Sequence, residues 1–342
     1  TCACEMTAPG TISCLKNNGE RRIKVIGVDL NPDHSMDGML DEIIKVSRVS
    51  DERYVDELLK ICNEFDVDVL LPGISDELIL LANRKKEFEE IGTKIPLSNI
   101  EALEICTNKY KFYEFMKNNE ILKTDFYIVN NVEEYDNAAS ALGFPQNAFV
   151  LKATVSSGSR GVRIIDPKKS RSDILFYEKP SSLYTSFEDL RSILVESGEF
   201  PEMMAMQYLS GEEYSVDVLA DNGKVRYICG RESNVVNASI PMEATLREDK
   251  DAYRICEKCV EKLGLHGNID FDFKYNDSGE AILMEINPRR AATMSVFMEG
   301  GLNLIYLCIK QELGEELPKT TEIRYGTKMK RRYLEQFSFA GE

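Results

Sequence analysis

The sequence predicts a chain of two characters: an α/β unit on a parallel sheet at the N-terminus, then α+β structure on antiparallel sheets. Three observations carry this. The first hundred residues alternate strand-like and helix-like runs, apolar runs joined by short turns begin at Phe149, and residues 268–287 read as strand, tight turn, strand.

Residues 23–29 and 67–72 are short β-branched or apolar runs, each followed by a turn carrying Gly, Asn, Asp or Pro. Between them, residues 51–65 place Val55, Leu58, Leu59, Cys62 and Phe65 on one helical face. That order implies parallel strands joined by a right-handed crossover. Residues 7–16 read as a loop and helix start following a first strand, although residues 1–6 make a poor strand. The GxGxxG turn of a dinucleotide site is missing here, so Asp29 at a strand end argues little for a ribose contact and the unit reads as scaffold. Residues 109–117 form a helix with a clear apolar face. Residues 149–154 and 161–165 are antiparallel strands across a small-residue turn. Further strands are expected at 204–209, 213–219 and 224–229, an irregular stretch at 231–250, and a helix at 253–263.

Composition narrows the function. There are 42 Lys+Arg against 58 Asp+Glu, a net charge of −16, which argues against a protein that neutralises nucleic-acid phosphates. No run approaches the roughly 20 apolar residues that span a bilayer, so neither membrane nor nucleic acid is expected as a partner, and a cytoplasmic location is. Nine scattered cysteines fit reduced thiols. In the only CxxC, Cys256 and Cys259 lie on an apolar helical stripe with Ile255, Val260 and Leu263, which favours core packing over a metal site.

The chemistry concentrates in the last hairpin. Ile269, Phe271, Phe273 and Tyr275 alternate with polar residues, so Asp270 and Asp272 share the other face, and Glu285 and Asn287 share a face of the returning strand. A two-residue loop at Asp277-Ser278 sets Asp270 opposite Glu285, and a bulge at Gly279 shifts the pairing by one. Two carboxylates about 5 Å apart repel unless a cation lies between them, and an amide oxygen beside them completes an oxygen ligand set suited to Mg²⁺ with phosphates. Arg289 adds fixed positive charge at the strand end. Lys152 precedes the loop Ser156-Ser157-Gly158-Ser159-Arg160-Gly161, whose backbone N–H groups could meet phosphate oxygens. Residues 206–213 form a strand, a turn at Ser210-Gly211, and a strand bearing Glu213. Each of these two elements taken alone is an ordinary hairpin.

Their order raises the case. A Lys-bearing helix start, Lys152 with its loop, the hairpin with Glu213, and then Asp270 followed by Glu285-Ile-Asn287-Pro-Arg289 together resemble the ATP-grasp superfamily, with particular likeness to the large subunit of carbamoyl phosphate synthetase. The resemblance covers roughly residues 100–310. It implies an N-terminal Rossmann-like, pre-ATP-grasp domain over residues 1–100, a small lobe with linking helices over 101–205, and a large lobe with the triphosphate site over 206–342. It further implies ATP held between two α+β lobes. Lys109 and Lys152 would contact the α- and β-phosphates, and Ser156, Ser157, Gly158, Ser159 and Gly161 would close over the β- and γ-phosphates. Met206, Gln207, Tyr208 and Leu209 would meet adenine through the main chain, and Glu213 would take the ribose. Asp270, Glu285 and Asn287 would hold two Mg²⁺, with Mn²⁺ able to substitute, and Arg289 would stabilise the transferred phosphoryl group beside Lys152. Two departures stand out: Met206 and Gln207 occupy hinge positions where many relatives carry Glu, and Asp270 stands where carbamoyl phosphate synthetase has Gln.

The implied chemistry is phosphorylation of a carboxylate to an acyl phosphate, which an amine or similar nucleophile then attacks, with ADP and phosphate released. Arg231 and Arg247 could meet the substrate carboxylate, although exposed basic residues with no such role are the commoner account of each. Two rivals stay open, an enzyme phosphorylating bicarbonate and an ATP-binding sensor without turnover. A helix-rich surface in residues 1–100 could support a homodimer.

Overall fold

The computed structural model describes residues 1–32, 36, 38–155, 160–237, 240–332 and 335. Its elements divide into two compact units. Unit 1 comprises residues 1–104, 212–273 and 283–342, and unit 2 comprises 105–211 and 274–282.

Unit 1 begins with α1 (Ala8–Lys16), whose second residue is Pro9 at a position where the missing N–H costs nothing. Strands β1 (Ile26–Asp29) and β2 (Glu42–Lys45) pair in parallel, Ile26 opposite Glu42. Helix α2 (Tyr54–Glu64) buries Tyr54, Val55, Leu58 and Cys62, the face expected from the periodicity. A 3₁₀ turn at Ser75–Glu77 leads into α3 (Leu78–Asn83), α4 (Lys85–Glu90) and α5 (Ile100–Thr107). The strand expected at 67–72 reduces to a single parallel bridge, Val69 with Lys94. β2 carries two β-branched residues in a four-residue run, too short to stand out as a strand in sequence.

Unit 2 holds α6 (Lys109–Asn118), β3 (Phe126–Val129), α7 (Val132–Ala141), β4 (Phe149–Ala153), β5 (Arg163–Ile165), α8 (Arg171–Tyr177), α9 (Phe187–Ser197) and β6 (Met203–Gln207). Its antiparallel sheet has the order β3-β6-β4-β5, with Val150 opposite both Ile164 and Met206. Side chains cap all four helices here: Asn108 accepts from Lys111 N–H, Asn131 from Glu134, Ser170 from Asp173 and Ser186 from Asp189.

The chain then returns to unit 1 through β7 (Glu213–Asp221), β8 (Lys224–Asn237), β9 (Ile240–Leu246), α10 (Lys250–Leu263), β10 (Gly267–Tyr275), β11 (Ala281–Asn287), α11 (Met294–Glu299), α12 (Leu304–Glu312) and β12 (Lys328–Lys330). The six strands are ordered β11-β10-β7-β8-β9-β12. Of residues 231–250, expected to be irregular, 231–237 are the end of β8 and 240–246 are β9. Register shifts between Ser233 and Val236 break the alternation that would have announced them. Helix α10 buries Cys256, Cys259, Val260 and Leu263 as expected, and all nine cysteines are free thiols.

One apolar cluster in unit 1 joins Cys14 and Leu15 of α1 to Leu219, Cys229 and Leu246 of the large sheet and to Met294, Phe297 and Ile305. A second holds Tyr54, Leu58, Leu78, Leu81 and Phe88.

Candidate active site

The β10–β11 turn takes the bulged form, replacing the two-residue loop at Asp277-Ser278. Gly279 N–H donates to Asn276 O at 2.9 Å and Asn276 N–H to Glu280 O at 3.0 Å, with Gly279 at φ +77°. Only glycine adopts that conformation without strain, so it is Gly279 that selects this turn.

In unit 1, β10 lies beside β7, and the acidic face of one meets the polar face of the other. Along β7 the residues Tyr214, Val216 and Val218 face one side while Ser215 and Asp217 face the other. Ser215 Oγ donates to Asp272 Oδ1 at 2.7 Å. Arg231 stands opposite Ser215 on β8 and is 3% exposed, too buried to be left without a counter-charge. Its Nε donates to Asp217 at 3.3 Å, its Nη2 to Asp270 at 3.1 Å and its Nη1 to Ser233 Oγ at 3.1 Å. Arg231 is thus an internal counter-ion.

Asn287 ends β11 with its Nδ2 donating to Asp272 at 3.0 Å and reaching Asp270 at 3.4 Å. Arg289 Nη2 donates to Asn287 Oδ1 at 3.4 Å and its Nη1 to Arg290 O at 2.8 Å. Burial pushes the Asp217 carboxyl up to about 6 against the opposing field of Arg231. Burial also raises Asp270, with Asp217 adding to it. It raises Asp272 well above the ordinary range, with Asp270 and then Glu285 adding. Carboxylates that raise one another in this way are a site short of positive charge. The donors Asp272, Glu285 and Asn287 could hold a divalent cation: Asp272 and Glu285 would offer carboxylate oxygens, and rotating the Asn287 amide would exchange its N–H for its oxygen. Asp270 is already held by Arg231. Asp272, on the same face, is the residue that sequence reasoning passed over for the site. Asp217 was also missed, because only the pairing of β7 with β10 brings it here.

In unit 2, Lys109 is the first residue of α6, and its N–H donates to Thr154 O at 2.8 Å. Lys152 on β4 is 6% exposed, its Nζ 3.3 Å from Tyr113 Oη and 4.8 Å above that ring. Gly161 at φ +71° brings its backbone against Ala153, where a Cβ would sit at 3.1 Å. Ser156, Ser157, Gly158 and Ser159 lie outside the described residues. Met206 packs inward on β6, 1% exposed, and Gln207 is exposed. Tyr208 and Leu209 follow the strand end, with Leu209 O accepting from Lys274 Nζ at 3.3 Å. A Cβ on Gly211 would lie 2.2 Å from Tyr275 O, so this turn tolerates no side chain.

Glu213 is exposed at the start of β7 in unit 1, whereas Arg231 on β8 is buried. Arg247 pairs with Glu232, its guanidinium carbon 4.8 Å from the Tyr214 ring centre. Among the described residues no helix is long and apolar enough to cross a membrane.

Residues 199–336 match the family described as ATP-grasp in the biosynthetic pathway with Ter operon, the stretch that holds Asp272, Glu285, Asn287 and Arg289. Residues 10–96 match the PylC-like N-terminal domain. The chain is 23% identical over 310 residues to an uncharacterized protein of Sinorhizobium fredii, covering 86% of this chain and 60% of that one. It is 21% identical over 285 residues to the carbamoyl phosphate synthase large chain of Pseudothermotoga lettingae, covering 79% of this chain and 24% of that one. The chain therefore spans 60% and 24% of these relatives' lengths, less than two thirds of each.

Among solved structures, the ATP-grasp fold here superposes on the biotin carboxylase domain of Hydrogenobacter thermophilus 2-oxoglutarate carboxylase, in complex with MgADP, ADP and bicarbonate. The TM-score is 0.68 at 18% identity, covering 93% of this chain and 70% of that one. It also superposes on N5-carboxyaminoimidazole synthetase from Staphylococcus aureus complexed with ADP, with TM-score 0.68 at 18% identity, covering 92% and 77%. At such identities these likenesses establish the fold.

Proposed function

We propose that the protein is an ADP-forming carboxylate–amine ligase. The observation that carries this reading is the set Asp272, Glu285 and Asn287, with Arg289 donating to Asn287, at the end of one hairpin. Binding of an uncharged ligand has no use for carboxylates held against their own repulsion, whereas a magnesium triphosphate does. In this reading Asp272, Glu285 and Asn287 would hold two Mg²⁺, which would supply charge neutralisation for the transferring phosphoryl group. Arg231 keeps Asp270 and Asp217 in place behind them. Arg289 stabilises the phosphoryl group as it leaves ADP for the substrate carboxylate. Lys109 and Lys152 contact the α- and β-phosphates, Lys152 kept straight by the Tyr113 ring beneath its ammonium. Main-chain groups of 206–209 read adenine, which explains why an inward Met206 is tolerated, and Glu213 takes the ribose. The acyl phosphate is then attacked by an amine, and phosphate leaves. Residues 1–100 act as scaffold, 101–205 and 206–342 as the two lobes of the grasp fold, and the enzyme works as a cytoplasmic homodimer.

The test is phosphate release from ATP and Mg²⁺ against pools of carboxylates and amines, singly and together. Release of ADP and phosphate only with both supports the ligase. Release with bicarbonate alone supports the likeness to carbamoyl phosphate synthases. Tight ATP binding with no release in any pool would overturn catalysis altogether.

A further inference from the structure

The polypeptide that follows β6 is held against the tip of the β10–β11 hairpin by three neighbouring contacts, all inside unit 2. Lys274 Nζ donates to Leu209 O at 3.3 Å, and Ser210 Oγ donates to Asp277 Oδ1 at 2.9 Å. Gly211 lies so near Tyr275 O that a Cβ there would sit at 2.2 Å. The Lys274 ammonium also stands 5.6 Å from the centre of the Tyr208 ring, within cation–π reach. The Tyr208 hydroxyl is 3.5 Å from that of Tyr184, and the Leu209 side chain is buried. Residues 208 and 209 are therefore anchored through their own side chains, and the carbonyl of Leu209 already has a charged donor on it.

An extended main chain presents the C=O of one residue and then the N–H and C=O of the residue two further on along the same edge. Along 207–209 that edge runs Gln207 O, Leu209 N–H, Leu209 O. The pairing edges of the two purines differ. Adenine offers an N–H donor at N6, an acceptor at N1 and only C–H at C2, whereas guanine offers an acceptor at O6 and donors at N1 and N2. Adenine suits the first two groups, with N6–H on Gln207 O and N1 on Leu209 N–H, and asks nothing of Leu209 O. Guanine in the same place would set O6 against Gln207 O and N1–H against Leu209 N–H, like against like. It could be accepted only by sliding one group along, with O6 on Leu209 N–H and N1–H on Leu209 O. That last oxygen is the one bonded to Lys274.

We propose that Lys274 is a specificity-determining residue that excludes guanine nucleotides. Its ammonium on Leu209 O closes the register in which this edge would accept guanine and leaves the adenine register open. The inference rests on the reading of residues 206–209 as the segment that meets the base. A carbonyl oxygen has two lone pairs, so a first donor does not by itself bar a second. The charge does, because N1–H and N2–H of guanine would have to approach an ammonium bound to the same oxygen. Selectivity then comes from a group placed against the wrong ligand, with no new contact needed for the right one. A lysine present only to hold the hairpin tip would serve both purines equally.

The test is calorimetric titration of the full chain, and of its Lys274→Met and Lys274→Arg variants, with MgADP and MgGDP, each variant being checked for folding by its thermal melt. Met keeps the length of the stem and removes the charge, and Arg restores a charged donor. The parent is expected to bind ADP roughly a hundredfold more tightly than GDP. In Lys274→Met that ratio is expected to fall about tenfold or more, chiefly through tighter binding of GDP, and in Lys274→Arg to stay near the parent's. An unchanged ratio in Lys274→Met, with both nucleotides weakened alike, would make Lys274 a support for the hairpin tip and overturn the proposal. So would a fall in the Arg variant as large as in the Met variant, which would tie the ratio to packing of the stem. A parent that binds neither nucleotide would overturn the reading of 206–209 and this inference together. A parent selective for ADP whose ratio ignores Lys274 would overturn this inference alone.

Discussion

Arg231 shows how a single buried side chain organises an acidic site. Its removal would strand Asp217 and Asp270 as uncompensated carboxylates, and Arg231→Met is expected to lose about 3 to 5 kcal/mol of stability in denaturant melts. Glu285 is different, because it has no such structural duty. Glu285→Gln should lower turnover by at least about a thousandfold while the melting temperature shifts little. Near-normal turnover in that variant would remove Glu285 from the site. The carboxylates of β10 and the Glu-Ile-Asn-Pro-Arg run were legible because strand alternation and a distinctive short motif are local. The pairing of Asp270 with Arg231, thirty-nine positions away, was not, since it depends on how β7, β8 and β10 come together.

At the level of elements, β1 is held to the start of β2 by Asp41, whose carboxylate accepts from Lys16 and from Val25 N–H at 2.7 Å. The Lys16 bond first and the Val25 bond second depress its pKa below the ordinary value. A depressed carboxylate contributes stability above its unfolded value, near 3.9, and loses it as pH falls through the lower folded value. Asp41→Asn should therefore cost about 1 to 2 kcal/mol at pH 7, and the gap between variant and parent should close toward pH 2. The Ser210-Gly211 turn makes a second prediction. Gly211→Ala forces a Cβ into Tyr275 O, and a loss of about 1 to 3 kcal/mol is expected, read as an earlier thermal transition. Helices α2, α6 and α10 and the β4–β5 hairpin were readable from sequence because each has a clean period. β2 and the β8–β9 ribbon were not, the first for its brevity and the second because its register shifts scramble the alternation.

For the whole molecule, the free thiols offer a direct report on folding. Seven of the nine are buried and only Cys2 and Cys4 are partly exposed. Burial raises Cys2 to about 11, with Glu77 adding, which slows its reaction near neutral pH. A thiol-specific chromophoric reagent should thus label at most two groups promptly in the native protein and all nine in denaturant. Prompt labelling of more would mean the described packing is wrong. Long-range assembly is what the sequence concealed: α1 gives no sign that it packs beside residues nearly three hundred positions later, where Asn303 Nδ2 meets Cys14 O at 2.7 Å. That shared core has a practical consequence for dissection. The stretch carrying the N-terminal match cannot be cut from the stretch carrying the ATP-grasp match without baring Leu15 on one fragment and Phe297 and Ile305 on the other, so recombinant pieces split near residue 104 are expected to aggregate more than the intact polypeptide, read by sedimentation of the soluble fraction of each.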